Sequence, residues 1–471
     1  MKNNKENNLY AVILAGGVGS RFWPLSRQLA PKQFLKVVSD KTLLEQTILR
    51  VNKLIPSKNI CVITNQHYLF EIKKELEQFG IPDKNIFLEP LGKNTAQAIA
   101  LAARYLFLKD HNSSMIVLPS DHIISKNKLF INAVKDASAL ADDGYLVTLG
   151  VVPQKAMTGY GYIKTLNKIS PKSKGYLVDK FIEKPGLEKV KGFLKQRNYF
   201  WNSGIFIWKT SVILSEIKKY TPSLYSKIIS VYPNKDITKI WQKITPISID
   251  YAILEKSKLV SMIPARFAWS DVGSWQALKD ILGNDKNDNV LKADSYDVDS
   301  KNILVWSKDR FVATLGLKDL IIVDTPDALL VCKQDYSEKV RKIVDFLKDK
   351  NREEYIYHKK VNRPWGSYIV LQYDFDFKVK LVEIDPKKRL SLQFHRKRAE
   401  HWVVVEGIAR VTCGKMVKLV RSNESIYIPA GKVHRLENPS GNKPLKIVEV
   451  QTGKYLKEDD IIRLRDDYKR V

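Results

Sequence analysis

The stretch Leu14-Ala15-Gly16-Gly17-Val18-Gly19-Ser20-Arg21 directly follows a short apolar run, Tyr10-Ala11-Val12-Ile13-Leu14. A continuous, partly β-branched run of this length is typical of a buried parallel strand. Ligands bind in the crevice beyond the carboxyl ends of such strands, and glycines there let the backbone come close to a ligand. Backbone N–H groups, together with the side chains of Arg21 and Lys32, would suit a polyphosphate. The sequence therefore predicts a phosphate-binding turn after its first strand.

Two familiar phosphate-binding loops do not match this turn. A Walker A loop ends in Gly-Lys-Ser/Thr, whereas Gly19 is followed by Ser20-Arg21, and a dinucleotide fingerprint needs a third glycine where Phe22 stands. On the glycines alone, a turn without any ligand is an equally good interpretation. The following pairs Pro24-Leu25 and Pro31-Lys32 make the pattern more specific. With them, the stretch resembles the signature loop of the sugar-1-phosphate nucleotidyltransferases.

That resemblance implies the roles of the turn. The nucleotide is expected against the backbone, and Arg21 and Lys32 are expected to stabilise charge at the phosphorus under attack. Asn94 and Gln97 are expected beside the base, whose identity the residue pattern leaves open. The residues implied to bind the nucleotide are Leu14, Ala15, Gly16, Gly17, Gly19, Arg21, Lys32, Asn94, Gln97 and Asp121.

Length and composition limit the class of protein. With 471 residues, 44% of them hydrophobic, the chain is expected to form two or three domains with real cores. The net charge of +28 is spread along the sequence without a recognisable nucleic-acid module, so small phosphorylated partners are favoured over nucleic acid. The first residues contain no apolar segment, which predicts a cytoplasmic protein with no membrane contact. The distant Cys61, Cys332 and Cys413 are expected to be reduced structural thiols.

Strand-like and helix-like segments alternate over residues 8–283. This alternation predicts βαβ units around a mainly parallel sheet, that is, an α/β domain. The resemblance implies that this domain is Rossmann-like and of the GT-A type. Asp121 follows a strand-like segment, and Asp271 precedes Val272-Gly273. Carboxylates in such turns suit Mg²⁺, which prefers hard oxygen ligands, although a lone aspartate there is more often a turn cap. The resemblance implies that Asp121 and Asp271 are the two Mg²⁺ ligands and take part in catalysis.

The resemblance also implies a sugar-phosphate site, formed by Gly159, Tyr160, Gly161, Glu183, Lys184 and Asn202. The two glycines let the backbone face a hexose, although an ordinary hairpin turn is the plainer interpretation. Glu183 and Lys184 are adjacent, so on a strand their side chains point to opposite faces. Both can reach one ligand only if the chain twists or bulges there.

The remaining sequence divides into two parts. Residues 284–352 begin with a polar, turn-rich stretch and continue as short strand-like segments, so a small β-rich linker without a catalytic cluster is expected. Residues 353–471 contain many short strand-like segments separated by turn signals, which predict a C-terminal β jelly roll.

Four side chains of the last part form a candidate metal site. Gln393 and His395 lie two apart on a strand, so they face the same side, and Glu400 and His434 follow later. The set resembles the two cupin motifs, with glutamine in place of the first histidine. An oxygen, two imidazoles and a carboxylate would suit a divalent transition metal, with Zn²⁺ expected. The alternative is a row of solvent-facing polar residues, and His401 should point away from the set.

The chain as a whole resembles the bifunctional mannose-1-phosphate guanylyltransferase/mannose-6-phosphate isomerase family. The resemblance implies that GTP and mannose 1-phosphate give GDP-mannose and pyrophosphate. It further implies interconversion of mannose 6-phosphate and fructose 6-phosphate in the jelly roll, with Arg398 holding the phosphate. The family often has a run of histidines where this sequence reads His395-Arg396-Lys397-Arg398, so isomerisation depends on whether those positions transfer protons. We also expect a homo-oligomer.

Three other classes stay open at this point. A uridylyl- or thymidylyltransferase acting on another sugar 1-phosphate would have much the same turn, and only the attached jelly roll favours mannose. A second class combines a transferase with a jelly roll that binds sugar without catalysis. A nucleic-acid-binding protein is the least favoured class, and steep salt dependence of DNA binding would reveal it.

Overall fold

The computed structural model describes residues 8–233 and 235–468. The chain forms two compact units, of which the first ends at Ile356 and the second begins at Tyr357. The β-rich segment after residue 284 therefore belongs with the α/β part, while the limits 8–283, 284–352 and 353–471 stay predictions. Nowhere in the two described ranges is a helix both long enough and apolar enough to span a bilayer.

The first unit is built around a nine-stranded sheet, with a two-stranded sheet (β5 and β11) beside it. The strands are β1 Leu9–Ala15, β2 Ile60–Asn65, β3 Ile86–Glu89, β4 Ser114–Pro119, β5 Ile123–Ile124, β6 Leu146–Val151, β7 Tyr162–Lys168, β8 Tyr176–Ile182, β9 Tyr199–Lys209, β10 Val260–Ala265 and β11 Trp269–Ser270. The helices are α1 Leu43–Val51, α2 Leu69–Glu77, α3 Thr95–Lys109, α4 Asn127–Asp142, α5 Leu187–Leu194, α6 Thr210–Tyr220, α7 Pro222–Ile229, α8 Thr238–Gln242 and α9 Trp275–Lys279.

The nine strands lie in the order β3-β2-β1-β4-β9-β6-β10-β8-β7. Strands β1 to β4 are parallel, and so are β6 and β10. Strand β9 runs antiparallel between β4 and β6, and β7 pairs antiparallel with β8. The expectation of a mainly parallel sheet is therefore wrong for the second half, and the sheet is mixed. Only residues 169–175 join β7 to β8, too few for the crossover of a dozen or more residues that parallel strands need.

Successive residues of β1 enter two different cores. Tyr10 and Val12 pack with the alanine-rich α3 on one face of the sheet. Ala11, Ile13 and Ala15 pack with α1 and α4 on the other face. Because helices cover both faces, the strand has no solvent side, and this explains its unbroken apolar sequence.

After α9 the chain forms a parallel β-solenoid, a coil of short strands stacked turn upon turn, and a helix follows. Its elements are β12 Val290–Lys292, β13 Ser295–Val298, β14 Leu304–Trp306, β15 Val312–Leu315, β16 Leu320–Thr325, β17 Ala328–Lys333 and α10 Arg341–Asp349. Strands β12, β14 and β16 pair in parallel, as do β13 and β15. Val290, Leu304 and Ile321 stack in register and share one core with Phe22 and Trp23, which follow the glycine turn. The coil is thus packed against the segment that carries the predicted phosphate site.

The second unit consists of two facing sheets. Its strands are β18 Lys360–Arg363, β19 Gly366–Tyr373, β20 Phe377–Ile384, β21 Leu392–His395, β22 Ala399–Glu406, β23 Ile408–Cys413, β24 Met416–Arg421, β25 Ser425–Ile428, β26 His434–Glu437, β27 Leu445–Thr452 and β28 Ile461–Arg465. The sheets have the orders β18-β19-β20-β27-β22-β25 and β24-β23-β26-β21-β28. Trp402 and Ile447 of one sheet share a core with Val411 and Leu436 of the other. The predicted fold class, an α/β domain followed by a β-rich jelly roll, is confirmed.

Gly19 is the glycine of the turn whose conformation matters most. Its φ is 68°, in the left-handed region, and a Cβ there would lie 2.3 Å from the Cβ of Lys32. The N–H of Lys32 donates to the carbonyl of Val18 at 3.0 Å, which holds the two segments together. Only a residue without a side chain allows this close approach.

Replacing Gly19 by alanine should destabilise the protein more than the same change at Gly80. Gly80 has a similar φ of 63° but open space around the missing Cβ, so the G80A variant reports conformational strain alone. We expect G80A to lower the free energy of unfolding by about 1 kcal/mol. G19A should lose roughly 1–3 kcal/mol more, because its methyl group must displace Lys32. Urea unfolding of both variants measures the difference, and equal losses would contradict the close approach.

Candidate functional site

The glycine turn opens onto a cavity of about 780 Å³. Among the residues expected to bind the nucleotide, those on its wall are Leu14, Gly16, Gly17, Gly19 and Asn94. Ala15 is buried behind the wall, where its carbonyl accepts hydrogen bonds from Gln33 and Thr64. Asn94 also caps α3, since its Oδ1 accepts the N–H of Thr95 at 2.8 Å.

Gln97 is not placed to contact a base, contrary to the expectation from the sequence. Its side chain is fully buried, and Nε2 donates to the carbonyl of Thr245 at 2.6 Å while Oε1 accepts the N–H of Ile247. Both ends of the amide are therefore engaged in fastening residues 245–247 to α3, so Gln97 has a structural role.

A buried carboxylate that was not predicted from the sequence lies on the cavity wall. Glu89 is the last residue of β3, is 4% exposed and lines the large cavity. Its Oε1 has no hydrogen-bond partner within the described ranges. Burial raises the pKa of Glu89 to about 7. Its place at the end of a parallel strand is the signal that could have identified it, by the rule that selected Asp121.

A smaller cavity of about 270 Å³ adjoins the same turn and brings Arg21, Lys32, Asp121 and Asp271 together. Lys32 connects the two aspartates, because its Nζ donates to Oδ2 of Asp121 at 2.8 Å and to the backbone carbonyl of Asp271 at 2.7 Å. Burial alone would raise the pKa of Asp121, but the charge of Lys32 and its hydrogen bond lower that pKa below its ordinary value. The carboxylate is therefore ionised, and its hard oxygens fit Mg²⁺.

Tyr160 orients the second aspartate. Its hydroxyl donates to Oδ1 of Asp271 at 2.8 Å, and the N–H of Gly273 donates to the same oxygen at 3.0 Å. The Tyr160 ring packs edge-on against Trp201 and Trp269, which fixes its position. Tyr160 was expected beside the sugar, and its hydroxyl instead holds the Asp271 carboxylate. The neighbouring Gly159, also expected there, is exposed and has open space around it.

Two arginines line the smaller cavity. Arg21 lines the smaller cavity and forms an exposed ion pair with Glu338 at 3.6 Å. Exposed pairs of this kind are weak, so Arg21 can exchange this partner for a phosphate. Arg341, the first residue of α10, lines both cavities. The β-rich segment, in which no catalytic cluster was expected, therefore supplies a cation to the site.

Four of the six residues expected on the sugar side lie close together: Gly161, Glu183, Lys184 and Asn202. A Cβ there would lie 2.6 Å from Oε2 of Glu183, and the N–H of Asn202 donates to the Gly161 carbonyl at 2.8 Å. Lys184 forms an ion pair with Glu183 at 2.8 Å. These two residues follow the end of β8, and a left-handed φ of 48° at Lys184, rather than a bulge in a strand, brings their charged groups together.

Asp250 completes this group and was not singled out from the sequence. Its Oδ1 accepts a hydrogen bond from Nδ2 of Asn202 at 3.2 Å, while Oδ1 of Asn202 accepts one from Thr148 at 3.0 Å. Burial and the nearby carboxylate of Glu183 raise the pKa of Asp250 to about 7. Glu183, Asn202 and Asp250 thus form a polar cluster of the kind that binds sugar hydroxyls.

In the second unit, three of the four predicted metal ligands converge. The donor atoms of His395, Glu400 and His434 lie within 4.8 Å of one another, and all three side chains are buried. Nδ1 of His434 donates to the carbonyl of Lys432 at 2.8 Å, which leaves Nε2 as the acceptor. Nε2 of His395 lies 3.0 Å from Oε1 of Glu400, yet in the described chain neither it nor Nε2 of His434 has a partner with hydrogen-bond geometry. Buried ring nitrogens of this kind beside a carboxylate fit a divalent transition metal.

The fourth predicted ligand lies beside this triad. Gln393 pairs directly with His434 across β21 and β26, and its Oε1 accepts a hydrogen bond from Ser391 at 2.7 Å. His401 is exposed and bonds to Ser425, as expected for a side chain on the opposite face. The solvent-facing alternative is contradicted for the triad, because its members are buried.

Arg398 is not placed to hold a substrate phosphate, which corrects the expectation from the sequence. It is 2% exposed, and its Nε donates to Oε1 of Glu400 at 3.2 Å while Nη1 donates to the carbonyl of Lys457 at 3.1 Å. Burial alone would raise the pKa of Glu400, but His395 and Arg398 hold that pKa well below its ordinary value. Arg398 is thus a positioning residue for the Glu400 carboxylate.

Comparisons with known proteins agree with this architecture. The chain matches the family model for nucleotidyl transferase over residues 10–288, the mannose-phosphate isomerase/GMP-like beta-helix domain over 295–347, and the mannose-6-phosphate isomerase C-terminal model over 350–466. It is therefore a nucleotidyltransferase with an isomerase-type C-terminal domain. Mannose-1-phosphate guanylyltransferase 2 of Escherichia coli O157:H7 is 42% identical to it over 98% of both chains. The chain belongs to the mannose-1-phosphate guanylyltransferase family, and the resemblance noted from the sequence is confirmed.

Two further relatives cover most or all of the chain. Xanthan biosynthesis protein XanB of Xanthomonas campestris pv. campestris is 39% identical over 99% of this chain and 100% of its own length. A solved structure from Thermus thermophilus, described as a mannose-1-phosphate geranyltransferase, is 29% identical. It covers 72% of this chain and 99% of its own, with a TM-score of 0.66, so the fold of the first unit has an experimental counterpart.

Replacing Asp250 by asparagine should make stability less dependent on pH. The pKa of this carboxyl rises from 3.8 to about 7 on folding, so between these values the unfolded chain gives up a proton that the folded chain keeps. The wild type therefore loses stability as the pH rises from about 4 to about 7, and the loss levels off above pH 7. The unfolding midpoint of D250N, minus that of the wild type, should increase over that range and then stay constant. A difference that is constant or falls between pH 4 and pH 7 would contradict the burial of Asp250 beside Glu183.

Proposed function

We propose that the first unit transfers the guanylyl group of GTP to mannose 1-phosphate and releases pyrophosphate. The observation that carries this proposal is the meeting of Lys32, Asp121 and Asp271 on one cavity beside the glycine turn. The names of the relatives support GTP and mannose 1-phosphate as the substrates. Small phosphorylated molecules, rather than nucleic acid, are the proposed partners. A homo-oligomeric state and a cytoplasmic location stay predictions.

The chain's own residues would act by alignment and charge stabilisation. A phosphate oxygen of the sugar 1-phosphate attacks the α-phosphorus of GTP, and the bond from that phosphorus to the pyrophosphate oxygen breaks, so no protein nucleophile is needed. Arg21 and Lys32 would stabilise the charge on the phosphates. Asp121 and Asp271 would hold Mg²⁺, which supplies further neutralisation when bound. Tyr160 keeps the Asp271 carboxylate oriented toward this task.

The sugar would lie against the Gly161 backbone. Glu183, Asn202 and Asp250 offer hydrogen-bond acceptors and donors for hexose hydroxyls, and their mutual contacts support a preformed site. Lys184 is exposed, and its ion pair with Glu183 would be exchanged for one with the sugar phosphate.

Pyrophosphate release from each of the four ribonucleoside triphosphates, with mannose 1-phosphate and Mg²⁺, tests this proposal. GTP should be preferred by the full chain. The D271A variant should lose activity by about 10²–10³-fold or more, the usual effect of removing one stabilising group at developing charge. D280A removes an exposed aspartate outside both cavities and should keep wild-type turnover. Equal use of UTP, or near-normal turnover by D271A, would contradict the proposal.

We further propose that the second unit binds Zn²⁺ through His395, Glu400 and His434, with Gln393 as the fourth ligand, and interconverts mannose 6-phosphate and fructose 6-phosphate. The triad's buried nitrogens support the metal, and the isomerase C-terminal family model supports the reaction. A metal there would polarise the sugar carbonyl when bound. Arg396 and Lys397 stand where the family often has histidines, but both side chains are exposed whereas the triad is buried. The absence of imidazoles at these two positions therefore leaves the triad intact.

Zinc content and isomerase turnover can be measured on the same preparations. The wild type should retain Zn²⁺ after dialysis and convert fructose 6-phosphate in a coupled assay. H434A should bind Zn²⁺ at least about 10–100-fold more weakly, whereas H401A, which changes an exposed histidine on the other face, should match the wild type. Zinc retention without turnover would indicate a sugar-binding jelly roll without catalysis, and no zinc retention would contradict the metal site.

A further inference from the structure

The triad of the second unit is closed off from solvent. His395, Glu400 and His434 are each 1% exposed, yet a sugar phosphate must reach them if it is to react there. Strands of the two facing sheets surround the triad, and their hydrogen-bonded ladders hold them in place. Residues 453–460, here called the strap, join β27 to β28 and lie outside both ladders. The strap is therefore the part of the wall that can move at the lowest cost.

Both ends of the strap are anchored on the loop between β21 and β22. At one end, a Cβ on Gly453 would lie 2.5 Å from the carbonyl oxygen of Lys397, so the packing there requires glycine. At the other end, the carboxylate of Asp460 accepts hydrogen bonds from the N–H groups of Arg396 and Lys397, at 3.3 and 3.2 Å. Residues 454–459 form a short loop between these anchors.

Three cationic side chains bind the middle of the strap at three consecutive residues. The pairs are Lys378 with the carbonyl of Leu456 at 2.9 Å, Arg398 with the carbonyl of Lys457 at 3.1 Å, and Lys380 with the carboxylate of Glu458 at 3.0 Å. Cationic donors that converge on neighbouring oxygens are the usual components of an anion site. In this structure the oxygens of the chain itself occupy that site.

Strand register places Lys380 on the same face of its sheet as the triad carboxylate. Lys380 is paired with Glu449 on β27, and Glu449 is paired with Trp402 on β22. Directly paired residues project their side chains to one face of a sheet. Trp402 Nε1 donates to Glu400 at 3.1 Å and to Glu449 at 3.3 Å. The Lys380 ammonium is thus directed into the interior that holds Glu400.

The ion pair between Lys380 and Glu458 is unequal. The lysine side chain is only 7% exposed, whereas that of the glutamate is 49% exposed. A buried ammonium needs a partner, but water competes for a half-exposed carboxylate and weakens its hold. A phosphate monoester carries about 1.5–2 negative charges at pH 7 and three acceptor oxygens, more than a carboxylate offers. Such a phosphate can therefore replace Glu458.

We propose that Glu458 occupies the position of the substrate phosphate on Lys380, and that a sugar 6-phosphate enters the jelly roll by displacing the strap. The inference rests on the proposed isomerisation. It assigns the phosphate to Lys380, with Lys378 beside it, instead of Arg398. The strap keeps the triad closed to sugars that lack a phosphate, because these cannot compete with Glu458.

Sorbitol 6-phosphate isolates the binding step, because it has the phosphate of fructose 6-phosphate but no carbonyl that could isomerise. Calorimetry with the full chain should show binding of sorbitol 6-phosphate and none of sorbitol. E458Q should bind sorbitol 6-phosphate roughly three- to tenfold more tightly, because a neutral amide competes less well for Lys380. K380M should bind it about 10–100-fold more weakly, the usual effect of losing hydrogen bonds between charged groups.

Trypsin cleavage within the strap gives a second readout, independent of zinc and of turnover. Trypsin cuts after lysine, and Lys454 and Lys457 both lie in the strap with exposed side chains. Sorbitol 6-phosphate should speed cleavage at these two sites in the wild type. E458Q should be cleaved there faster than the wild type even without the ligand, because one contact that holds the strap is lost. Mass spectrometry of the fragments identifies the sites.

The matched control is E406Q, which changes another half-exposed carboxylate of the second unit, paired with Lys446 at 2.7 Å. It should equal the wild type in affinity and in cleavage. An affinity of E458Q equal to that of the wild type would overturn the inference, and this comparison holds even if K380M does not fold. Tighter binding by E458Q in a chain whose wild type fails to convert fructose 6-phosphate would contradict the proposed isomerisation and leave the strap standing.

Discussion

A single ammonium group connects the parts of the proposed transferase site. Lys32 lies on the segment after the glycine turn, Asp121 follows β4, and Asp271 follows β11, yet one Nζ bonds to the last two at 2.8 and 2.7 Å. Its side chain is only 4% exposed, and a charge so far removed from water is stable only when it is paired. Gly19 gives Lys32 the room to approach. The turn, the sheet edge and the Asp271 loop are therefore mutually dependent.

The sequence predicted that the glycine turn and Asp121 lie together, because these residues follow a geometric rule. Parallel strands end at one edge of a sheet, so the glycine turn and Asp121 had to be neighbours once the strands were recognised. Asp271 came from family resemblance rather than from any pattern. Side-chain partners were harder to foresee. From the sequence, Gln97 at the start of α3 could equally well face the cavity or bond to the protein, and only the position of residues 245–247 in the fold shows that its amide is already hydrogen-bonded. Arg341 and Asp250 come from distant segments, so no local spacing could place them.

The sheet itself shows where local patterns stop being informative. Buried strands in a sheet covered by helices on both faces look alike whether they run parallel or antiparallel, so the antiparallel β9 was not distinguished. The parallel coil likewise appeared only as short strands, because its pairing joins residues about one turn of the coil apart. Its packing on Phe22 and Trp23 explains how a segment without its own catalytic cluster reaches both cavities beside the glycine turn.

The jelly roll follows the same logic around a carboxylate. Period-two spacing placed Gln393 and His395 on one face, and strand pairing brought His434 beside them. Arg398 shares that period with Glu400, two residues on, so a residue expected to meet substrate instead turns inward and donates to Glu400. Trp402 Nε1 donates to the same carboxylate at 3.1 Å, and Gln451 does so at 3.1 Å. Glu400 is thus held rigidly, as a metal ligand requires.

Everything proposed for the first unit depends on Lys32, Asp121 and Asp271 forming the phosphate end of a nucleotide site. A crystal structure with GTP and Mn²⁺ in place of Mg²⁺ tests this most directly, because manganese is located by its anomalous scattering. We expect a manganese peak within ligand distance of both aspartate carboxylates, with the α-phosphate beside Lys32. A nucleotide whose phosphates lie away from these three side chains, or a metal bound to neither aspartate, would contradict it.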